Sequence, residues 1–153
     1  MKPTIASPLG LALLLLAGCS SPPEIIDEQP AAIAEGVLAF RDICLKSAPS
    51  FAGADSAAKA YGIARLEDAG YARMGLRSDH SLGVQVQKNK QCAVTTPSQA
   101  DKTLTRQFLK IAEQFSSTAV GQSLPVRIIL DQQTFLLMHD RRGGEAYVML
   151  KHP

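Results

Sequence analysis

The chain has 153 residues, of which 46% are hydrophobic and 20% are charged, and its formal net charge is +2. Its length favours a single folded domain, and its composition is ordinary for a globular protein. Because so small a net charge gives no long-range electrostatic field, binding of nucleic acid is not expected.

The N-terminus carries the features of an export signal. Lys2 precedes an apolar run at 9–16, which is too short to cross about 30 Å of hydrocarbon as a helix but has the length of a signal peptide core. The run ends in Leu16-Ala17-Gly18-Cys19, which resembles the lipobox of bacterial lipoproteins. The resemblance implies that signal peptidase II removes residues 1–18 and that Cys19 becomes a lipidated N-terminus. An ordinary secretory signal with a chance cysteine is the alternative.

Lipid on Cys19 would anchor the protein to a membrane, because each buried methylene contributes about 0.8 kcal/mol. The next residue is Ser20, whereas Asp at this position resembles the signal for retention at the inner membrane. In a Gram-negative host we therefore expect the outer membrane, with the protein facing the periplasm. Residues 19–30 are rich in proline and predict a flexible tether of about 30 Å, followed by a single domain at 31–153.

Two cysteines remain once Cys19 is assigned to lipid. In an exported and oxidising compartment, Cys44 and Cys92 are expected to form a disulfide. A pair of buried free thiols and a redox site are the alternatives. The spacing differs from the C-x-x-C of thioredoxin-like redox sites, which favours a structural bond.

Two helices are predicted in the first part of the domain. After Pro30, apolar side chains recur at steps of four, three and four residues, which places them on one face of a helix of about 15 residues that Pro49 ends. These side chains are Ile33, Val37, Phe40 and Cys44. A second, alanine-rich helix is predicted over 53–61, with Gly62 in the left-handed position that follows many helices.

From residue 71 the apolar period changes to two, which indicates strands. Three strands are predicted at 71–77, 82–87 and 91–96, joined by polar turns into a meander. The side chains expected on the core face are Ala72, Met74, Leu76, Leu82, Val84, Val86, Cys92 and Val94. Cys92 should then face the first helix.

Thr96 and Pro97 predict the start of a third helix, as its cap and first residue, and an apolar repeat from Leu104 to Phe115 continues it. After a loop at 116–125, strands are predicted at 126–131, 134–139 and 145–151. The first two of these are nearly all apolar and are expected to be central in the sheet. The order helix, helix, three strands, helix, three strands indicates an α+β domain, with about three helices on an antiparallel sheet and one disulfide.

No recognisable catalytic, metal-binding or phosphate-binding motif occurs in the sequence, so no catalytic residue, metal ion or cofactor is predicted. His80 and His139 each stand beside an aspartate. A small hydrolase that uses both is the enzymatic alternative, and it requires the two histidines to converge with a carboxylate in a cleft. Neighbouring residues of a strand point to opposite faces, so neither His–Asp pair is a natural chelate.

Arg141 and Arg142 lie in a predicted hairpin turn and can form a small basic interaction patch, with simple solvation as the alternative. The segments F-R-D-I-C-L at 40–45 and C-A-V-T-T-P at 92–97 resemble patterns in small uncharacterised proteobacterial envelope proteins, which implies no activity. We therefore expect a membrane-anchored envelope lipoprotein with a non-enzymatic binding or structural module for an envelope protein or glycan. A periplasmic hydrolase inhibitor or adaptor, acting through a loop such as 140–145, is the alternative.

Overall fold

A computed structural model describes residues 32–97, 100–141 and 145–153, which belong to one compact unit. Helix α1 spans Glu35–Ala39 and continues directly into a π-helical segment at Phe40–Leu45. Helix α2 spans Ala54–Lys59, and helix α3 spans Leu104–Glu113. The strands are β1 Glu67–Asp68, β2 Arg73–Leu76, β3 Gly83–Gln87, β4 Gln91–Pro97, β5 Val126–Leu130, β6 Gln133–Asp140 and β7 Glu145–Lys151.

All of these strands form one antiparallel sheet in the order β1-β2-β3-β4-β7-β6-β5. Two meanders, β2–β4 and β5–β7, meet where β4 pairs with β7 over seven residue pairs, from Gln91 opposite Lys151 to Pro97 opposite Glu145. The tight turns inside the meanders use left-handed residues, with Asn89 at φ 56° between β3 and β4. The predicted α+β class, with three helices, an antiparallel sheet and one disulfide, is confirmed, and the two-residue strand β1 is an addition.

The three helices pack on the same face of the sheet. Directly opposed residues of neighbouring strands lie on the same face of a sheet, and so do residues two positions apart in one strand. By these two rules the register places Arg73, Cys92 and His139 on one face. Arg73 forms an ion pair with Asp55 of α2, Cys92 is bonded to Cys44 of the π segment, and His139 contacts α3. We call this surface the helix face and the opposite surface the open face.

The hydrophobic core lies between the helices and the helix face. The rings of Phe40 and Phe108 meet edge to face at 5.7 Å, and Phe51 and Phe135 do so at the same distance. Val84, Val86, Cys92 and Val94 are buried as predicted, and the largest fully buried side chains also include Ile43, Ile63, Leu82, Leu104, Ile128, Leu137 and Leu150. The core therefore draws on both meanders and all three helices.

The Cys44–Cys92 disulfide is confirmed and joins the π segment to the middle of the sheet. The two Cα atoms lie 5.5 Å apart, within the usual range for a disulfide, and both cysteines are fully buried. The first helix is also confirmed, but the inward position predicted for Ile33 is wrong. Regular helix begins only at Glu35, so the helical period does not extend to Ile33, which is 50% exposed.

The predicted start of the third helix at Thr96 and Pro97 is wrong. Both residues belong to β4, where Pro97 lies opposite Glu145 of β7, and α3 begins at Leu104. Pairing with β7 extends β4 through Thr96 and Pro97, the two residues whose local capping signals predicted the start of a helix. The turn before α3 is instead formed by Asp101, whose Oδ1 accepts hydrogen bonds from the backbone N–H (2.7 Å) and hydroxyl (2.6 Å) of Thr103.

Two expectations about the strands are also wrong. Met74 and Leu76 were expected in the core, but they lie on the open face, and Gly75 takes the helix-face position between them. A Cβ atom at Gly75 would lie 2.7 Å from Ile63 Cγ2, so only glycine fits under the segment that follows α2. Strand β5, expected to be central, is an edge strand of the sheet, and the central strands are β4 and β7.

Removing the disulfide should destabilise the fold strongly. The two cysteines are 48 residues apart, and the chain-entropy model gives about 4 kcal/mol for closing a loop of that size. We expect Cys44→Ala combined with Cys92→Ala to lower the free energy of unfolding by about this amount in urea titrations of the mature protein. Reductant should lower the wild-type midpoint and leave that of the double variant unchanged. Equal midpoints for the wild type with and without reductant would contradict the prediction.

Candidate functional site

The open face carries two continuous rows of side chains that cross five strands. The rows follow from directly opposed pairs on β2, β3, β4, β7 and β6. The first row is Met74, Gln85, Ala93, Met149 and Met138, and the second is Leu76, Gly83, Thr95, Tyr147 and Asp140. At about 4.8 Å between strands, each row is about 19 Å long. We call the two rows together the strip.

Methionine is concentrated on the strip. The sequence contains four methionines, and the three that follow residue 1 are Met74, Met138 and Met149. Met74 is 39% exposed, and its neighbour Leu76 is 64% exposed, the highest value among the large apolar residues described. Asp140, at one end, is the only charged residue of the strip. Methionine adapts its shape to irregular apolar partners, so the strip has the chemistry of a surface that binds apolar groups.

A groove of about 600 Å³ opens at the β2 end of the strip. Leu76, Met74 and Thr95 line it, together with Glu67 of β1 and Arg65 of the segment that leads into β1. Arg65 and Glu67 form an exposed ion pair at 2.6 Å. The side chain of Leu76 lies over Gly83, where a Cβ atom would be 2.8 Å from Leu76 Cδ2. The missing side chain at Gly83 therefore fixes how Leu76 projects.

A hollow of about 480 Å³ opens at the other end, beside β6. Strand β5 begins at Val126, opposite Leu137, so β6 continues past the end of its neighbour. The residues around this β6 hollow are Thr105, Leu124, Pro125, Met138, His139, Asp140, Arg141 and Tyr147. The strip thus has a cavity at each end, and each cavity is lined partly by apolar side chains.

His139 forms the inner wall of the β6 hollow from the helix face. Its Nδ1 lies 2.9 Å from the Thr105 hydroxyl, and its ring packs on Phe108 with centroids 4.8 Å apart. Burial, followed by the nearby charge of Arg141, lowers the pKa of His139, whereas Asp140 acts in the opposite direction. Its Nε2 is buried and has no hydrogen-bond partner among the described residues. The contact with Thr105 and the packing on Phe108 hold the ring of His139 in place at the wall of the hollow.

The two histidines of the enzymatic alternative do not converge. His80 lies in the turn between β2 and β3, and His139 lies on β6, so three strand spacings, about 14 Å, separate their strands. That alternative therefore lacks the joint site it requires. Within residues 32–97, 100–141 and 145–153, no group of three His, Cys, Asp or Glu side chains is arranged to hold a metal ion.

Part of the predicted interaction patch can be described. Arg141 Nη1 donates a hydrogen bond of 2.7 Å to the carbonyl oxygen of Asp101, so its guanidinium contacts the turn before α3. Arg142 and the middle of the loop at 140–145 lie outside the described residues, as do Cys19, the signal peptide and the tether. The basic patch and the lipidation site stay predictions.

The most perturbed carboxylate has a structural role. Asp42 of the π segment accepts hydrogen bonds from Arg41 (2.8 Å) and from the hydroxyl of Tyr61 (2.5 Å). These bonds and the ammonium of Lys46 hold the pKa of Asp42 far below its usual range. Burial and the bond to Asp42 raise the pKa of Tyr61 to about 12. The cluster connects the π segment to Tyr61, just after α2, and contains no residue of the strip.

Sequence reasoning missed the strip because it assigned Met74 and Leu76 to the core. A usable signal was the unequal chemistry of the two faces of β2, where Arg73 and Gly75 alternate with the apolar pair. Comparisons with protein-family models, with curated proteins and with solved structures found no match to this chain. Among the described helices, none is long and apolar enough to span a bilayer.

The buried position of His139 predicts a pH dependence of stability. The folded protein lowers the pKa of His139 below its ordinary 6.5. The neutral imidazole therefore contributes to the free energy of unfolding above pH 6.5, and this contribution is lost as the pH falls. We expect the free energy of unfolding to decrease less between about pH 7.5 and about pH 5.5 in His139→Gln than in the wild type. His80→Gln, at an exposed turn, is the matched control and should follow the wild type. Parallel curves for His139→Gln and wild type would count against this assignment.

Proposed function

We propose that this protein is a bacterial envelope lipoprotein whose folded domain is a non-enzymatic binding module. In this proposal Cys19 carries the lipid, the tether at 19–30 keeps the domain near its membrane, and the open face binds an envelope protein. In a Gram-negative host the membrane is the outer one, and the domain faces the periplasm. The observation that carries the proposal is the buried Cys44–Cys92 disulfide behind a lipobox-like signal, because stable disulfides belong to exported proteins.

The chemistry of the strip favours a protein partner over a glycan. Glycan-binding surfaces stack aromatic rings on sugars, and the strip offers one aromatic ring, Tyr147. Three methionines and Leu76 instead provide flexible apolar contact area, which suits the apolar side chains of a protein. The neutral side chains of Gln85 and Thr95 add hydrogen-bonding groups without charge. A glycan is the competing outcome of the binding experiment below.

The same surface favours binding over catalysis. Covalent and acid–base catalysis need a nucleophile beside a base, or a titratable pair whose pKa values are driven apart. The hydroxyls of Thr95 and Tyr147 have no imidazole beside them on the strip, because the ring of His139 points to the helix face. Asp140 is the one acidic residue among the ten residues of the strip. A mostly uncharged face is better suited to adhesion than to bond cleavage.

The anchor is tested by changing the acylated residue. We expect Cys19→Ser to block the lipidation-dependent cleavage, so that the precursor, which still carries residues 1–18, accumulates without acyl label. Ser20→Asp should leave lipidation intact and move the protein from the outer to the inner membrane, with Ser21→Asp as its matched control. Normal cleavage and normal acyl labelling of Cys19→Ser would refute the lipid anchor.

The binding surface is tested by photo-crosslinking in intact cells. A photoreactive phenylalanine derivative in place of Tyr147 preserves an aromatic ring at the centre of the open face. We expect it to trap an envelope protein that mass spectrometry identifies reproducibly. The same derivative in place of Lys110, an exposed residue of α3 on the helix side, is the matched control and should trap much less. Equal yields at both positions would contradict binding through the open face, and capture of glycan alone would replace the protein partner.

A further inference from the structure

The groove at the β2 end of the strip, which we call the β2 groove, is bordered by exposed apolar side chains. Among the described residues, the large apolar side chains that are exposed are Ile33, Tyr71, Met74 and Leu76. Met74 and Leu76 line the groove, and the Tyr71 hydroxyl lies 3.4 Å from the sulfur of Met74. Covering such side chains with another apolar segment removes them from water and is favourable.

The domain begins beside the β2 groove. Arg77, the residue after β2, donates hydrogen bonds from both of its terminal nitrogens to the two carboxylate oxygens of Glu35, at 2.7 and 3.0 Å. The next residue, Gly36, lies so close to β4 that a Cβ atom there would be 3.0 Å from Thr96 Cγ2. The neighbour of Thr96 in the chain, Thr95, lines the groove. Two separate contacts thus place the start of α1 at the end of the sheet that holds the groove.

We infer that residues 24–28 of the tether bind in the β2 groove. These residues precede the described part of the chain, and their sequence is E-I-I-D-E. Ile25 and Ile26 are the only large apolar side chains between Cys19 and Ile33 other than prolines. A segment that serves only as a spacer does not need them, because polar residues and prolines are sufficient to keep a chain extended in water.

The segment is long enough to reach the groove. Six residues separate Ile26 from Ala32, and an extended chain of that length spans about 20 Å. Packed layers are about 10 Å apart, so the chain can pass from the helix side of the sheet to the open face. The groove volume of about 600 Å³ lies in the range of pockets that enclose drug-sized ligands. Since successive side chains of an extended chain alternate, one isoleucine at a time faces Met74 and Leu76.

The charges of the segment and of the domain are complementary. Residues 1–31 contain one basic side chain and three acidic ones, and all three acidic ones lie at 24–28. Residues 32–153 therefore contain 15 basic and 11 acidic side chains, a net charge of +4. Arg65 lines the groove, and its side chain is 80% exposed while it pairs with Glu67. The acidic segment is attracted to this domain, most strongly by the guanidinium at the groove itself.

Docking changes how far the domain extends from its membrane. With residues 24–28 bound, only residues 19–23 connect the lipid to the domain, and five residues of polyproline-like chain span about 15 Å instead of about 30 Å. A partner that uses the β2 groove has to displace the segment, which returns the tether to its full reach. This consequence rests on the proposed lipid anchor, whereas the docking itself does not depend on lipid.

The docking is tested by crosslinking in the full-length protein in intact cells. We expect a photoreactive phenylalanine derivative in place of Leu76 to crosslink within its own chain, to a peptide that contains residues 24–28, without increasing the mass of the protein. The same derivative in place of Met138, at the other end of the strip, is the matched control and should not reach that peptide. The inference is overturned if position 76 crosslinks only to other molecules, or to no part of 24–28.

Cleavage by a glutamate-specific protease provides a second measurement. A bound segment has to be released before it is cut, so the rate of cleavage after Glu24 and Glu28 reports the released fraction. In purified lipidated protein in detergent, Leu76→Ser should raise this rate at least about 5-fold, because it removes apolar contact with the segment. Met138→Ser is the matched control and should be cleaved at the wild-type rate. Identical rates for the wild type and Leu76→Ser would show that the segment is not bound there.

The results also separate this inference from the proposed function. If position 147 traps an envelope protein while position 76 does not reach residues 24–28, the docking is refuted and the binding module stands. If position 76 reaches the segment while position 147 traps nothing, the docking stands and the binding module is refuted. Each outcome can be read from the mass and the peptides of the crosslinked product.

Discussion

The pairing of β4 with β7 is the constraint on which the rest of the structure depends. Each meander could form locally, because its strands are joined by short turns, but the seven pairs between β4 and β7 join segments more than 45 residues apart in sequence. Cys92 lies within the same strand β4 and is bonded to Cys44. One central strand therefore holds both meanders together and fixes the first helix against them. The closure of such long loops is also why a disulfide at this place contributes so much to stability.

That constraint determines which surfaces are available for binding. With all three described helices on one face, the described part of the chain is a two-layer structure in which no described element covers the second face of the sheet. The edges of the sheet are poor sites for adding a strand, because β1 has only two residues, Glu67 and Asp68, and β5 follows Pro125 and carries the exposed Arg127. Short, charged or proline-flanked edges resist edge-to-edge pairing. A partner that uses the sheet therefore approaches its open face rather than an edge.

The features that were predictable from the sequence are those with a local cause. The apolar repeat of the first helix, the turn at Asn89 and the two cysteines that remain beside Cys19 led to the helix, the meander and the disulfide that the structure contains. The features that were missed have non-local causes. Gly75 faces the helices because Ile63 crosses above it, and Pro97 stays in β4 because Glu145 lies opposite. The position of the strip also has a non-local cause, since it depends on which face of β2 the helices cover.

The two ends of the strip differ because the two halves of the fold differ in their outer strands. Both halves consist of helical segments followed by a meander, and they meet through their last strands, so β3 corresponds to β6 and β2 corresponds to β5. In the first half, β2 pairs with β3 along its whole length, and Leu76 lies over Gly83. In the second half, β5 begins only at Val126, opposite Leu137, and leaves β6 without a neighbour along its final residues. The β6 hollow therefore follows from the point at which β5 begins, because a longer β5 would pair with the residues of β6 that line it.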